Sequence, residues 1–192
     1  MVAHFEVSKR SRRMSGPKLL LALNAWLPED IRVLSAVRAP SAFHARFDAL
    51  GKQYRYQVWN HPAMNPLLRQ AAWHVPRKLD LTAMREAAKS LLGKHDFQSF
   101  AANSGYARES TVRTLTRLDI QKKGPLLTFI IEGDGFLYRM CRGIAGTLVQ
   151  VGLGRFPASE VASMLKSKDR RVAGMSAPAH GLILWKVYYP KK

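Results

Sequence analysis

The sequence predicts an α+β fold: a mixed, mostly antiparallel sheet flanked by helices. Three observations predict it. Side chains alternate between two faces from Ala49 to Trp59, the period of a half-buried strand. Two further runs, Thr111 to Gln121 and Leu126 to Glu132, flank Lys122-Lys123-Gly124-Pro125, as the arms of a hairpin flank its turn. Segments with helical spacing, bounded by helix start and stop residues, are interspersed with these strands.

The elements follow in order. Val2, His4 and Glu6 alternate with Ala3, Phe5 and Val7, so residues 2–7 read as a short strand. After a basic loop, Pro17 opens a helix from Lys18 to Leu27, proline being favoured in a first turn. Ile31 to Val37 is rich in Val, Ile and Leu and reads as a strand. In the Ala49–Trp59 strand, Tyr54, Tyr56 and Val58 share one face, and Arg55, Gln57 and Trp59 the other. Residues 60–72, with Pro62 and Pro66, form a loop. Asp80 is placed to cap a helix through Leu92, and Gly93 to stop it. Gly133-Asp134-Gly135 leads into a helix from about Phe136 to Gly152, and a further helix runs from about Pro157 to Lys166. Leu182 to Tyr189 is the final strand. No internal repeat or low-complexity stretch is present.

Composition excludes several classes. The chain of 192 residues is 47% hydrophobic, enough to build a core. Its one cysteine, Cys141, allows neither an intrachain disulfide nor a Cys-rich zinc site. No apolar run approaches the ~18 residues of a membrane span, the N-terminus lacks a signal-peptide layout, and a reducing, cytoplasmic compartment is the expectation. The 31 Lys and Arg against 13 Asp and Glu leave a net charge of +18, which points to a polyanionic partner. The cations spread along the chain, with clusters at Lys9, Arg10, Arg12 and Arg13; at Arg77 and Lys78; at Lys122 and Lys123; and at Lys166, Lys168, Arg170 and Arg171. Any one cluster also fits a plain solvated face.

The Phe136–Gly152 helix is apolar almost all round and is therefore expected to be buried. On a helical wheel Arg142 shares a stripe with Tyr138, Ala145, Gly146 and Val149, while Arg139, Gly143 and Gln150 make a narrow polar seam. A buried guanidinium without a partner costs several kcal/mol. Arg142 must meet a carboxylate, a phosphate or carbonyls, unless it forms a structural ion pair or snorkels to solvent. Gly143 and Gly146 each cost about 1 kcal/mol in a helix, so they suggest close approach by backbone or ligand. Tyr54 and Tyr56, preceded by Phe43-His44-Ala45-Arg46-Phe47, suit stacking on an unpaired base or ordinary core packing. The six histidines show no metal-ligand spacing, and no phosphate loop, dinucleotide fingerprint or nucleophile elbow occurs.

The chain resembles the tRNA pseudouridine synthase A family over essentially its whole length. The resemblance rests on Val2-Ala-His-Phe5; Leu21-Ala-Leu-Asn24 with Leu27-Pro-Glu-Asp-Ile31; Phe43-His-Ala-Arg-Phe47 with Tyr54-Arg-Tyr56; and Leu92-Gly-Lys-His-Asp-Phe97. It continues through Gly133-Asp-Gly-Phe-Leu137, Met140-Cys-Arg142 with Ile144-Ala-Gly146, and Ala177-Pro-Ala-His-Gly-Leu182. It implies a pseudouridine synthase fold with an RNA-binding cleft. The implied activity is isomerisation of uridine to pseudouridine in the anticodon arm of tRNA, at positions 38 to 40, without a cofactor, by a homodimer. An aspartate attacks the nucleoside, and the base is released, rotated and rejoined through carbon 5. By the same resemblance Arg142 pairs with that aspartate, Tyr54 contacts the target uracil and helps remove the carbon-5 proton, Arg46 lies near the RNA-entry side, and Leu182 lines the wall of the site.

One departure matters. The family's aspartate sits in a Gly-Arg-Thr-Asp-Ala-Gly-Val-His stretch upstream of the block matched by Val2-Ala-His-Phe5, and this chain has no such stretch. Met1 therefore reads as an internal methionine of a longer protein. Residues 1–40 are the remainder of an N-terminal half-domain, and 41–192 form the C-terminal catalytic and RNA-binding half. The alternative is a catalytically inactive tRNA-binding remnant or RNA chaperone. Asp48 and Asp134 are poor substitutes for the missing acid, and Cys141 reads as inert packing.

Overall fold

The computed structural model describes residues 1–7, 14–103, 105 and 109–190. Contacts divide the chain into two units, Val2–Asp48 and Ala49–Lys192. In the first, α1 spans Gly16–Trp26 with proline in its first turn, as the sequence predicts. None of its residues is buried.

Two expectations fail in this unit. Residues 2–7 and 31–37 form no strand. Alternation tells which side chains would share a face, but a strand also needs a neighbour to complete its ladder. Val33 instead takes both of its bonds from one side chain. Its N–H donates to Asn24 Oδ1 at 2.8 Å, and its C=O accepts from Asn24 Nδ2 at 2.9 Å. The amide does for Val33 what a peptide of a paired strand would do. The basic stretch Lys9, Arg10, Arg12 and Arg13 lies outside the described residues.

The second unit is built on a six-stranded sheet. Its strands are β1 (Gly51–Trp59), β2 (Trp73–His74), β3 (Gly93–Asp96), β4 (Val112–Lys123), β5 (Leu126–Gly133) and β6 (Leu182–Tyr188). The strand β1 is central. One edge pairs antiparallel with β5, beyond which lie β4 and then β3. Its other edge pairs antiparallel with β6 and, further along, parallel with β2. The β4–β5 hairpin turns at Gly124, whose φ of 57° explains the glycine. Strands β2 and β3 are absent from the sequence-based reading because two and four residues carry no readable period.

The helices are α2 (Leu81–Lys89), α3 (Met140–Gly152) and α4 (Glu160–Ser167). Asp80 caps α2 as predicted, its carboxylate accepting from Thr82 N–H and Ala83 N–H. The helix α3 starts four residues later than predicted, because Arg139 takes a left-handed φ of 60°. The helix α4 likewise starts at Glu160 rather than Pro157. Sheet register lines up Leu182, Tyr56, Phe129 and Ile120 in one cross-strand row, and Leu184, Tyr54, Ile131 and Leu118 in the next. The core packs Tyr56, Phe129, Ile131 and Leu118 from the sheet with Met84, Met140, Ile144 and Leu148 from the helices. Twelve of the residues in α3 are buried, and Arg142 is the exception.

Candidate active site

Side chains two apart on a strand share a face, so β1 presents Tyr54 and Tyr56 together. Their environments differ. Tyr56 is wholly buried, and its hydroxyl donates to Pro178 O at 2.8 Å. Burial pushes its phenol far above the usual range, with the nearby Arg142 charge opposing that shift. Tyr54 is half-buried, with its ring edge-on to Phe136 at 5.1 Å between centroids. Burial raises its pKa, and Cys141 adds to the effect. Among the described residues the Tyr54 hydroxyl has no hydrogen-bond partner. Tyr56 is thus committed to the fold, and the Tyr54 phenol is not.

Neighbouring residues of α3 bear electrostatically on these phenols, Cys141 on Tyr54 and Arg142 on Tyr56. Of the partners the sequence left open for Arg142, a carbonyl is the one present: Ala177 O accepts from its Nε at 2.6 Å. The backbone reciprocates, since Ala177 N–H donates to Arg142 O at 3.0 Å. No described carboxylate lies within ion-pair distance of the guanidinium. Its two Nη groups keep their donors. Leu182 stands opposite Tyr56 across the β1–β6 ladder and is half-buried. Leu182 and Arg142 thus both adjoin Tyr56, two residues along β1 from Tyr54.

Both predicted close approaches occur. A Cβ on Gly143 would strike the Phe100 carbonyl, and one on Gly146 the Met175 carbonyl. The second contact belongs to a strap, residues 173–178, that the sequence did not reveal. Gly174 N–H donates to Thr147 Oγ1 at 3.0 Å and Met175 N–H to Gln150 Oε1 at 3.1 Å. Arg170 holds the strap from its other side, donating to Ala173 O, Gly174 O and Ser176 Oγ. Thr147 and Gln150 could have been singled out by the signal that marked Arg142, a polar residue in an otherwise apolar helix.

The remaining candidates are placed as follows. Arg46 belongs to the Val2–Asp48 unit, where its guanidinium carbon lies 5.7 Å from the Phe47 ring centre. His44 Nδ1 accepts from both Arg46 N–H and Phe47 N–H at 3.2 Å. Asp48 accepts from His44 N–H at 2.9 Å, and Asp134 is bonded twice to the Thr114 backbone. Cys141 is buried, which pushes its thiol up and leaves it inert. The last basic cluster is less available than its composition suggests: Lys168 pairs with Asp96, Arg171 pairs with Asp169, and Arg170 turns inward. Arg77, Lys78, Lys122, Lys123 and Lys166 remain exposed. A surface hollow of about 510 Å³ lined by Gln98, Ala102, Thr111 and Lys168 includes neither Tyr54 nor Arg142. Among the described residues no three His, Cys, Asp or Glu side chains gather as a metal site, and no helix is long and apolar enough to cross a membrane.

A half-buried arginine on a glycine-notched helix, packed on a mostly antiparallel sheet, belongs to an α+β protein. A family model described as tRNA pseudouridine synthase matches residues 87–190. Tyr54 and Arg46 lie outside that span, but longer alignments reach further. The chain is 44% identical over 181 residues to tRNA pseudouridine synthase A 2 of Clostridium tetani, covering 94% of this chain and 73% of that protein. It is 48% identical over 168 residues to tRNA pseudouridine synthase A of Bacillus subtilis, covering 88% and 68%. With tRNA pseudouridine synthase A of a Thermoanaerobacter species it shares 43% identity over 188 residues, covering 98% and 75%. The chain belongs to the tRNA pseudouridine synthase family.

Proposed function

We propose that this chain supplies the Arg142 and Tyr54 part of an enzyme that isomerises uridine to pseudouridine in the anticodon arm of tRNA, at positions 38 to 40, the attacking aspartate coming from residues this sequence does not contain. The reaction balances within one nucleotide. The bond from ribose C1′ to base N1 breaks, a bond from C1′ to C5 forms, C5 loses a proton and N1 gains one. The target nucleotide leaves its stack first, at a cost of a few kcal/mol. The net charge of +18 suits a tRNA partner.

The observation that carries the reading is Arg142, the one residue of α3 that is not buried, held by Ala177 with both Nη groups still able to donate. In this reading those groups hold the carboxylate of the attacking aspartate, a bidentate pairing for which a guanidinium is suited. Burial keeps the Tyr54 phenol protonated near neutral pH. It therefore donates to a uracil carbonyl, and would take the C5 proton only where another group accepts its own. Leu182 supplies an apolar wall, and Arg46 serves the RNA-entry side. A homodimer working in the cytoplasm completes the proposal. A non-catalytic RNA binder is less well supported, since backbone binding gives no reason to hold one arginine inside a buried helix.

Tritium release from tRNA labelled at uridine C5 tests this: the chain alone should release none, and the chain joined to the family's aspartate-bearing segment should release it. Tyr54→Phe and Arg142→Ala should each lower the rate by about 100-fold or more, the scale of lost proton-transfer or charge-stabilising groups. Full rate in both variants would remove these residues from the mechanism.

A further inference from the structure

The strap over residues 173–178 runs antiparallel to α3 and has neither a helix nor a strand ladder to hold it. Its bonds go to side chains or to single backbone groups instead. Thr147 Oγ1 takes Gly174 N–H, Gln150 Oε1 takes Met175 N–H, Arg142 O takes Ala177 N–H, and the Tyr56 hydroxyl donates to Pro178 O. Thr147 is fully buried, and its own hydroxyl donates to Gly143 O at 2.8 Å. That bond fixes the rotamer and aims an oxygen lone pair at Gly174. The strap is also confined from above, because the Met175 carbonyl lies in the notch that Gly146 leaves. Ala177, three residues beyond Gly174, is the group that holds Arg142 Nε.

We propose that Thr147, with Gln150 one turn on, is a positioning residue for Arg142: it fixes the strap, and the strap fixes the guanidinium. The inference rests on the proposed role of Arg142 in the isomerisation. Thr147 touches no reacting atom. It sets where the Ala177 carbonyl stands, and so the direction in which the two Nη groups point. Misplacement by about 1 Å at such a group is enough to cost up to ~100-fold in rate.

The test compares Thr147→Val, which keeps the shape and removes the acceptor, with Thr147→Ser, which keeps the acceptor. Three quantities are read on the chain joined to the family's aspartate-bearing segment: tritium release, tRNA affinity by filter binding, and the Arg142 Nε–Hε NMR resonance, assigned by its loss in Arg142→Lys. In Thr147→Val, kcat should fall at least about tenfold while tRNA affinity stays within about twofold and the Arg142 resonance shifts. Thr147→Ser should restore both the rate and the resonance. A folded Thr147→Val with an unmoved Arg142 resonance, or with unchanged kcat, overturns the inference. Should Thr147→Val not fold, Gln150→Met removes the adjacent acceptor and is read in the same way. Absence of tritium release from the aspartate-bearing parent would count against the proposed function alone, since the resonance still decides the positioning.

Discussion

Two helices of similar apolar character have opposite fates. The run Leu19-Leu-Leu-Ala-Leu23 of α1 contributes no buried residue, whereas α3 is buried at every position except Arg142. Leu21 is 71% exposed and Trp26 91%, while Ile144 and Leu148 are at 0%. Composition states that a surface favours cover; only a facing sheet supplies it. Beneath α3 lie the Tyr56–Phe129–Ile120 row and α2. Within the Val2–Asp48 unit no ladder forms among the described residues, and one asparagine amide substitutes for a strand at Val33.

The largest expected effect sharpens that contrast. Ile144→Ala should destabilise by about 2–5 kcal/mol through lost burial and a cavity, whereas Leu21→Ala should change stability by under about 0.5 kcal/mol. Urea unfolding of both variants checks this, and equal losses would break the comparison. Next in size is Tyr56→Phe, which removes the bond to Pro178 and should cost about 1–2 kcal/mol by the same measurement. The pH dependence has a definite sign. Burial raises the Tyr56 pKa in the folded state, so its contribution is complete below the ordinary phenol range and declines as pH rises above it. Alkaline titration followed at 295 nm should show a late-ionising phenol that is missing in Tyr56→Phe. The smallest effect is Asn24→Leu. Losing both bonds to Val33 should cost about 1 kcal/mol and raise amide exchange locally around residue 33, leaving α3 protection unchanged.

Much of this was legible in the sequence, for identifiable reasons. One cation in an apolar helix stood out at Arg142, and two helix glycines announced close backbone approach, which Phe100 and Met175 supply. The β4–β5 hairpin and the Asp80 cap carry local signals, so they could be read locally. The strands expected at residues 2–7 and 31–37 failed because pairing depends on a partner that alternation does not encode. The start of α3 was misplaced because nothing in Phe136-Leu-Tyr-Arg139 advertises a left-handed arginine. Tyr54 and Tyr56 looked equivalent on their strand; only the distant Pro178 carbonyl separates them, by committing Tyr56 to the fold. Thr147 and Gln150 carried a visible signal, but their partners, some 25 residues on, did not.

The two anchorages of the 174–182 stretch have a consequence for how the chain can vary in length. Gly174 is tied to Thr147 at one end, and Leu182 is locked in register with Tyr56 at the other. Between them the chain acts as a ruler of set length, so a single inserted or deleted residue there would pull the Ala177 carbonyl away from Arg142.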